Sequence, residues 1–375
     1  MKIATITCHH VYNYGATLQA YALQKYLISL GHEAELINYI PWYHNRYSFW
    51  MVNKFSSHYN LINRNILLKL LWCLKYNLPY ILKEYKRKRA FDKFDSKYLK
   101  IAKKKYSNIT DLKKFPPPAN AYICGSDQIW SPNATYGIEK AYYLDFGKSN
   151  TYRISYAASF GSDAMPDDAN AIRLLLQNFK SISVREDSGK QILKKMGFKV
   201  VDIVLDPAFL LNATQWKELS ANSKRINTPE KYILLYNFKN NSDIQQFVLK
   251  LQSLLNIPIL CIHGYDDISY ADIRIKDAGP LEFLTLINNA EVIVSDSFHA
   301  TVFSIIFNRE FYTFSLKGQD NTVRMANLLD KLRIKNRLNV KDISPTNIDY
   351  KVVFQYLTPM IESSKDYLNN CLSSI

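Results

Sequence analysis

The chain has 375 residues, 47% of them hydrophobic, which is ordinary globular content and enough for two cores rather than one. A formal net charge of +15 narrows the partners to nucleic acid, an anionic membrane surface or small acidic molecules. Cysteines at 8, 73, 124, 261 and 371 show neither paired spacing nor a Cys-x-x-Cys, which argues against a disulfide framework or a zinc site and for a reducing compartment.

Lys2 to Cys8 reads as a short apolar strand without the longer apolar stretch and small-residue cleavage site of a signal peptide, so a cytoplasmic protein is expected. After the polar loop His9 to Gly15, a helix is expected from Ala16 to Leu30, with Leu18, Ala22, Leu23, Tyr26, Leu27 and Leu30 at helical spacing. Gly31 stops it and Glu33 to Tyr39 returns as a strand, giving a β-α-β unit with a right-handed crossover. A long insertion from about 40 to 115 follows, helical in its second half and closed by Pro116-Pro117-Pro118. Strands are expected again at Ala121 to Cys124, Arg153 to Ala158, Ser181 to Val184 and Lys199 to Leu205, with helices around Ile172 to Phe179 and Asp187 to Met196.

Polar sequence from Asn212 to Glu230 separates this half from a second series that begins at Tyr232. There the expected order is helix Asp243 to Leu255, strand Ile257 to Ile262, helix Leu281 to Asn289, strand Glu291 to Val294, a helix through His299 to Phe307, strand Glu310 to Phe314 and helix Thr322 to Leu332. Such alternation belongs to parallel sheets with helices on both faces. The fold class is therefore α/β, with two Rossmann-like domains at 1–210 and 211–350 and a helical insertion in the first. A last helix, within 351–375, is placed back across the first domain.

About half of the excess positive charge lies between Lys83 and Lys105, where eleven basic residues face Glu84, Asp92 and Asp95. Before it runs an aromatic-rich stretch that includes Trp42, Tyr43, Tyr47, Trp50, Trp72 and Tyr76. Two readings stand: a solvated helical face over aromatic core residues, or a peripheral contact with an anionic membrane. Ile66 to Leu82 is too short, and too interrupted by Lys69, Lys75, Asn77 and Pro79, to span a bilayer. No nucleic-acid partner is expected, because a basic patch alone has no use for polar clusters at strand ends.

Those clusters are the main functional signal, since a doubly wound fold binds ligands beyond the carboxyl ends of its strands. They are His9-His10 with Asn13-Tyr14-Gly15, Gly125-Ser126-Asp127-Gln128, Ser159-Phe160-Gly161, Arg185-Glu186-Asp187, and Asp296 to His299. Gly-x-Gly-x-x-Gly, Walker-type Gly-Lys-Ser and His-Glu-x-x-His are all missing, so no dinucleotide, nucleoside triphosphate or metal cofactor is expected. His299 sits where a strand turns into a helix, a place suited to chemistry on an acidic substrate.

Asn13-Tyr14-Gly15-Ala16, Gly125 to Trp130, Tyr156 to Gly161, Ser183-Val184-Arg185-Glu186, Leu205-Asp206-Pro207 and Ser295 to Ala300, taken in order, resemble the polysaccharide pyruvyl transferase family. The resemblance implies a GT-B-like fold, phosphoenolpyruvate as donor, and a lipid-linked or nucleotide-linked sugar of a bacterial surface glycan as acceptor. It carries the donor site onto Arg185, Ser297, His299, Arg324, Ser159 and Gly161, with His299 and Arg185 catalytic. The acceptor site falls on Asn13, Tyr14, Gly15, Asp127 and Gln128. Several family members have an arginine where this chain has Ser297; either Arg185 with another cation such as Arg324 or Lys317 completes the anion clamp, which is the favoured option, or this branch handles a different donor. The alternative for two facing Rossmann-like halves is a glycosyltransferase that uses a nucleotide sugar.

Overall fold

Short apolar runs, each followed by a helix, form two all-parallel sheets in the computed structural model, which describes every residue except 46, 53–55, 57, 239–240, 263–267, 316–321 and 344–345. The first sheet contains β1 (Lys2–Ile6), β2 (Glu33–Tyr39), β3 (Ile101–Tyr106), β4 (Ala121–Cys124) and β5 (Tyr152–Ser155), in the order β3-β2-β1-β4-β5. A two-stranded pair, β6 (Ser183–Val184) and β7 (Asp202–Ile203), follows it, and bridges from Ile154 to Ser181 and from Ala158 to Val184 join the pair to the edge. The second sheet contains β8 (Ile233–Tyr236), β9 (Ile259–Ile262), β10 (Ile273–Ile275), β11 (Val292–Ser295) and β12 (Glu310–Thr313), in the order β10-β9-β8-β11-β12. Both sheets therefore wind outward from their first strand in the same way, as Rossmann-like halves do.

Three elements differ from the sequence reading. The insertion does not run to 115, because β3 ends the excursion and pairs with β2 as an edge strand. Its three consecutive lysines, Lys103 to Lys105, are exposed and hide the strand signal, as charge on a sheet edge commonly does. Strand β10, at the opposite edge of the other sheet, was unforeseen for a similar reason. The polar stretch after Asn212 holds a helix, Ala213–Ser220, started by a capping box between Asn212 and Gln215.

Helix α1 (Tyr14–Ser29) is capped by Asn13, whose side chain accepts from the Ala16 N–H, and is buried on nearly every face. It lies between the halves, and one apolar cluster runs from Tyr14, Leu18 and Phe91 through Trp216 to Phe283 and Phe303. Tyr14 stacks on Phe283 with ring centroids 4.5 Å apart. The insertion carries α2 (Tyr59–Arg64), α3 (Ile66–Trp72), a π-helical turn Cys73–Asn77 and α4 (Leu78–Tyr98). The final helix, Tyr350–Ser373, returns to the first half, where Tyr367 donates to the Ser155 carbonyl at 2.9 Å and Ser364 accepts from the Leu205 N–H at 2.9 Å.

Candidate active site

In each sheet the strand order reverses beside the first strand, between β1 and β4 and between β8 and β11. At such a switch point the connections leave in opposite directions and open a crevice. The four loops that follow these strands converge, and a cavity of about 560 Å³ lies between the halves. Asn13, Asp127, Gln128, Ser297, His299 and Arg324, all expected from the sequence, line it. The facing wall comes from the start of the insertion, with Trp42, Tyr43, His44 and Tyr47, joined by Tyr136.

Ser297 caps the helix Phe298–Ile306, with its hydroxyl accepting from the Ala300 N–H, so the first turn of that helix opens toward the cavity. His299 is the second residue of this turn. Its Nε2 lies 3.4 Å from Asp206 Oδ2 and has no aligned hydrogen-bond partner. On its other side the ring rests against Gly15, where a Cβ would overlap Nδ1 and Cγ.

Asp206 joins the halves. Its Oδ2 accepts from Arg185 Nη1 at 2.8 Å and from the Ser126 hydroxyl at 3.2 Å, while Oδ1 caps the turn that follows by accepting from the Ala208 N–H at 3.0 Å. Burial alone would raise this carboxyl, but His299 and Arg185 beside it hold it well below the usual carboxylate range. Asp127 behaves in the same way: burial pushes its carboxyl up, and His299, Arg185 and Arg324 outweigh that effect. Arg185 also lies 3.6 Å from Asp127 and 3.7 Å from Glu186, with its guanidinium 4.5 Å from the centre of the Phe298 ring. Two guanidiniums, Arg185 and Arg324, thus face three carboxylates, Asp127, Glu186 and Asp206.

His299 and Arg185 come together as expected, on one carboxylate oxygen, but Arg185 does not line the main cavity. It faces a second one of about 330 Å³ on the far side of Phe298, and three carboxylates engage it. Arg324 borders both cavities and lies 3.6 Å from Asp127. Burial and the neighbouring Arg185 lower it to about 10. Lys317 lies outside the described residues.

Ser159 and Gly161 sit one layer behind the cavity. The Ser159 hydroxyl donates to Glu186 at 2.6 Å and accepts from the Gly161 N–H at 3.0 Å, so it is used up in holding the Arg185 pocket. Gly161 has a φ of +71° and its open side is filled by the Gln128 amide, which explains the glycine. Tyr14, expected at the acceptor, is instead turned into the core, where its hydroxyl donates to the Ala278 carbonyl at 3.0 Å.

Sequence reasoning missed Asp206, His44 and the aromatic wall. Asp206 entered the sequence reading only within the Leu205-Asp206-Pro207 motif, with no role of its own. The His44 imidazole lines the cavity with its Nδ1 lacking a hydrogen-bond partner, and burial pushes it down to about 3. Trp42, Tyr43 and Tyr136 form one cluster, with ring centroids 5.6–5.7 Å apart. Among the described residues no group of three or more His, Cys, Asp or Glu side chains is arranged to hold a metal ion.

A model of the polysaccharide pyruvyl transferase family matches residues 13–318. The chain belongs to that family. It is therefore a transferase, and the matched span includes the loops that follow β4, β8 and β11 together with Asn13 at the end of the loop after β1. No curated protein sequence matches it. Among solved structures it is similar to MnaA of S. aureus in a co-structure with UDP, at 13% identity and a TM-score of 0.50, over 98% of this chain and 89% of that one. It is also similar to UDP-GlcNAc 2-epimerase of Neisseria meningitidis bound to UDP-GlcNAc, at 13% identity and a TM-score of 0.47, over 99% and 94%. At these identities the likeness speaks to the fold alone, and this pyruvyl transferase family member is GT-B-like.

Proposed function

We propose that this transferase moves the pyruvyl group of phosphoenolpyruvate onto a sugar of a bacterial surface polysaccharide precursor, closing a pyruvate ketal across two hydroxyls. The observation that carries the reading is the contrast between the two walls of the cavity. One wall presents Ser297, His299 and Arg324 around a helix start, which suits a small molecule carrying phosphate and carboxylate. The other presents Trp42, Tyr43 and Tyr136, flat apolar surfaces against which a sugar ring can lie.

The imidazolium of His299 gives its proton to the terminal methylene carbon of the enol, which leaves a cationic carbon bearing phosphate and carboxylate. The first acceptor hydroxyl bonds to that carbon, and its proton returns to the imidazole. The C–O bond to phosphate then breaks, and the second hydroxyl closes the ring as its proton leaves with the phosphate. Arg324 steadies the anionic groups, and Asp206 orients the imidazole and stabilises it while it is charged. His44, held neutral by burial, stands on the acceptor wall, where its imidazole can hydrogen-bond and orient an acceptor hydroxyl.

The test is incubation of the folded protein with phosphoenolpyruvate and a panel of lipid-linked and nucleotide-linked sugars. Expected are acceptor-dependent release of inorganic phosphate and a pyruvyl mass added to the sugar. A thermal shift with nucleotide sugars but none with phosphoenolpyruvate, and no phosphate release from any acceptor, would overturn the donor assignment.

A further inference from the structure

Among the described residues, nothing lies over the apolar face that the helices of the insertion leave. No residue of α3 is buried, although the helix is mostly leucine, and Asn65 fixes its start by accepting from the N–H groups of Leu67 and Leu68. Leu67, Leu70, Leu71 and Leu74 fall at positions i, i+3, i+4 and i+7, so they form one stripe that continues into the π-helical turn. Ile66, Leu67 and Leu71 are 69%, 67% and 62% exposed, and Leu61 and Leu82 at either end are 62% and 66% exposed. Monomeric proteins rarely leave contiguous apolar patches of this kind in water unless something binds there.

The charge around the stripe has one sign. Between His58 and Phe91 the exposed charged side chains include Arg64, Lys75, Lys83, Lys86 and Arg89. The one acid in that span, Glu84, is buried and paired with Arg87 at 3.8 Å. Tyr76 and Tyr85, each about half exposed, supply the amphipathic rings that settle at a membrane–water boundary. A second copy of the chain would bring two basic faces together in a protein of net charge +15, whereas anionic headgroups complement them. Among the described residues no helix is long and apolar enough to cross a membrane.

We infer that residues 59–85 form a docking surface for an anionic lipid bilayer, the leucine stripe entering the headgroup layer and the flanking lysines and arginines meeting the phosphates. The surface is fastened to the cavity, because the Asn77 amide donates to the carbonyls of Phe49 and Met51 at 2.6 and 2.8 Å, and Met51 lines the cavity. Delivery of a lipid-borne acceptor along this route rests on the proposed function; binding to the bilayer does not.

The experiment is co-sedimentation of the full chain with vesicles of phosphatidylglycerol and phosphatidylcholine, and with phosphatidylcholine alone, at low and high salt. Expected is binding to the anionic vesicles that weakens at high salt, little binding to neutral ones, and a loss of about tenfold or more in the double variant L67E/L71E. That variant should keep its Tm and its phosphate release from a water-soluble acceptor, which separates a failure of docking from a failure of the reaction. Absence of sedimentation with anionic vesicles, or equal sedimentation of variant and parent, overturns the inference. So does a parent that light scattering shows to be a dimer and a variant that is a monomer, since the occupant is then a second copy.

Discussion

Gly15 and His299 lie face to face, so that the first turn of α1 meets the first turn of the His299 helix with no side chain between them. The glycine is required by space rather than by torsion. Gly15→Ala puts a methyl group into the imidazole, and overpacking of this kind costs about 1–3 kcal/mol. The ring has to leave its present place beside Asp206, and acceptor-dependent phosphate release should fall by about a hundredfold for a shift on the order of 1 Å. Turnover at the parent rate would show that the ring relaxes without consequence for the chemistry.

Asp206→Asn removes the charge that Arg185 and His299 share. With a buried guanidinium left short of its closest partner, a stability loss of about 3 kcal/mol is expected by urea denaturation at pH 7. The pH dependence has a definite sign. Because the folded-state carboxyls of Asp206 and Asp127 titrate below their unfolded values, their contribution is complete above about pH 4 and is lost as pH falls further. The variant should therefore show a shallower loss of stability below about pH 4 than the parent. Parallel acid limbs would mean that the pair does not hold Asp206 down.

The alternation of strands and helices made both parallel sheets legible, since buried strands read as apolar runs wherever they lie inside a sheet. The edge strands β3 and β10 escaped because charge replaces apolar pattern there. In the site, His299, Ser297, Asp127 and Arg324 were legible from their places at strand and helix ends. Asp206 was not, because its significance comes from the convergence of Ser126, Arg185 and His299, which a linear reading cannot see. Arg185 shows the reverse error: its position was right, but the three carboxylates around it make it a counter-ion within the cluster rather than an open anion clamp. Tyr14 likewise sits beside site residues in sequence while its ring serves the core between the halves.

Three histidines near the cavity are held neutral. Burial lowers His9 and His10 to about 4 and His44 to about 3, and their mutual repulsion adds to the effect for His9 and His44. In the unfolded chain each takes a proton near pH 6.5, so the stability they allow is complete above about pH 6.5 and declines as pH falls toward 4. His44→Gln removes one of these titrations. Thermal unfolding should show a smaller drop in Tm between about pH 6.5 and 4.5 than in the parent, while ketal formation falls. A variant with parent-like turnover would remove His44 from the groups that orient the acceptor.

Arg324 separates binding from stability. Burial and the adjacent Arg185 disfavour its charge, so the protein holds this guanidinium at a cost, with Asp127 at 3.6 Å only partly offsetting it. Arg324→Met keeps an unbranched apolar stem beside Phe298 and removes the guanidinium, which lies 5.4 Å from the centre of that ring. The Tm of the variant should stay within a few degrees of the parent or rise above it, as is common where a strained charge serves function. Protection by phosphoenolpyruvate in a thermal shift should disappear, and KM for that substrate should rise by about tenfold or more, on the order of one lost charge-assisted contact. A fall in Tm comparable to that of Asp206→Asn would instead make Arg324 a structural partner of Asp127, and the anion site would have to be sought at the other end of the His299 turn.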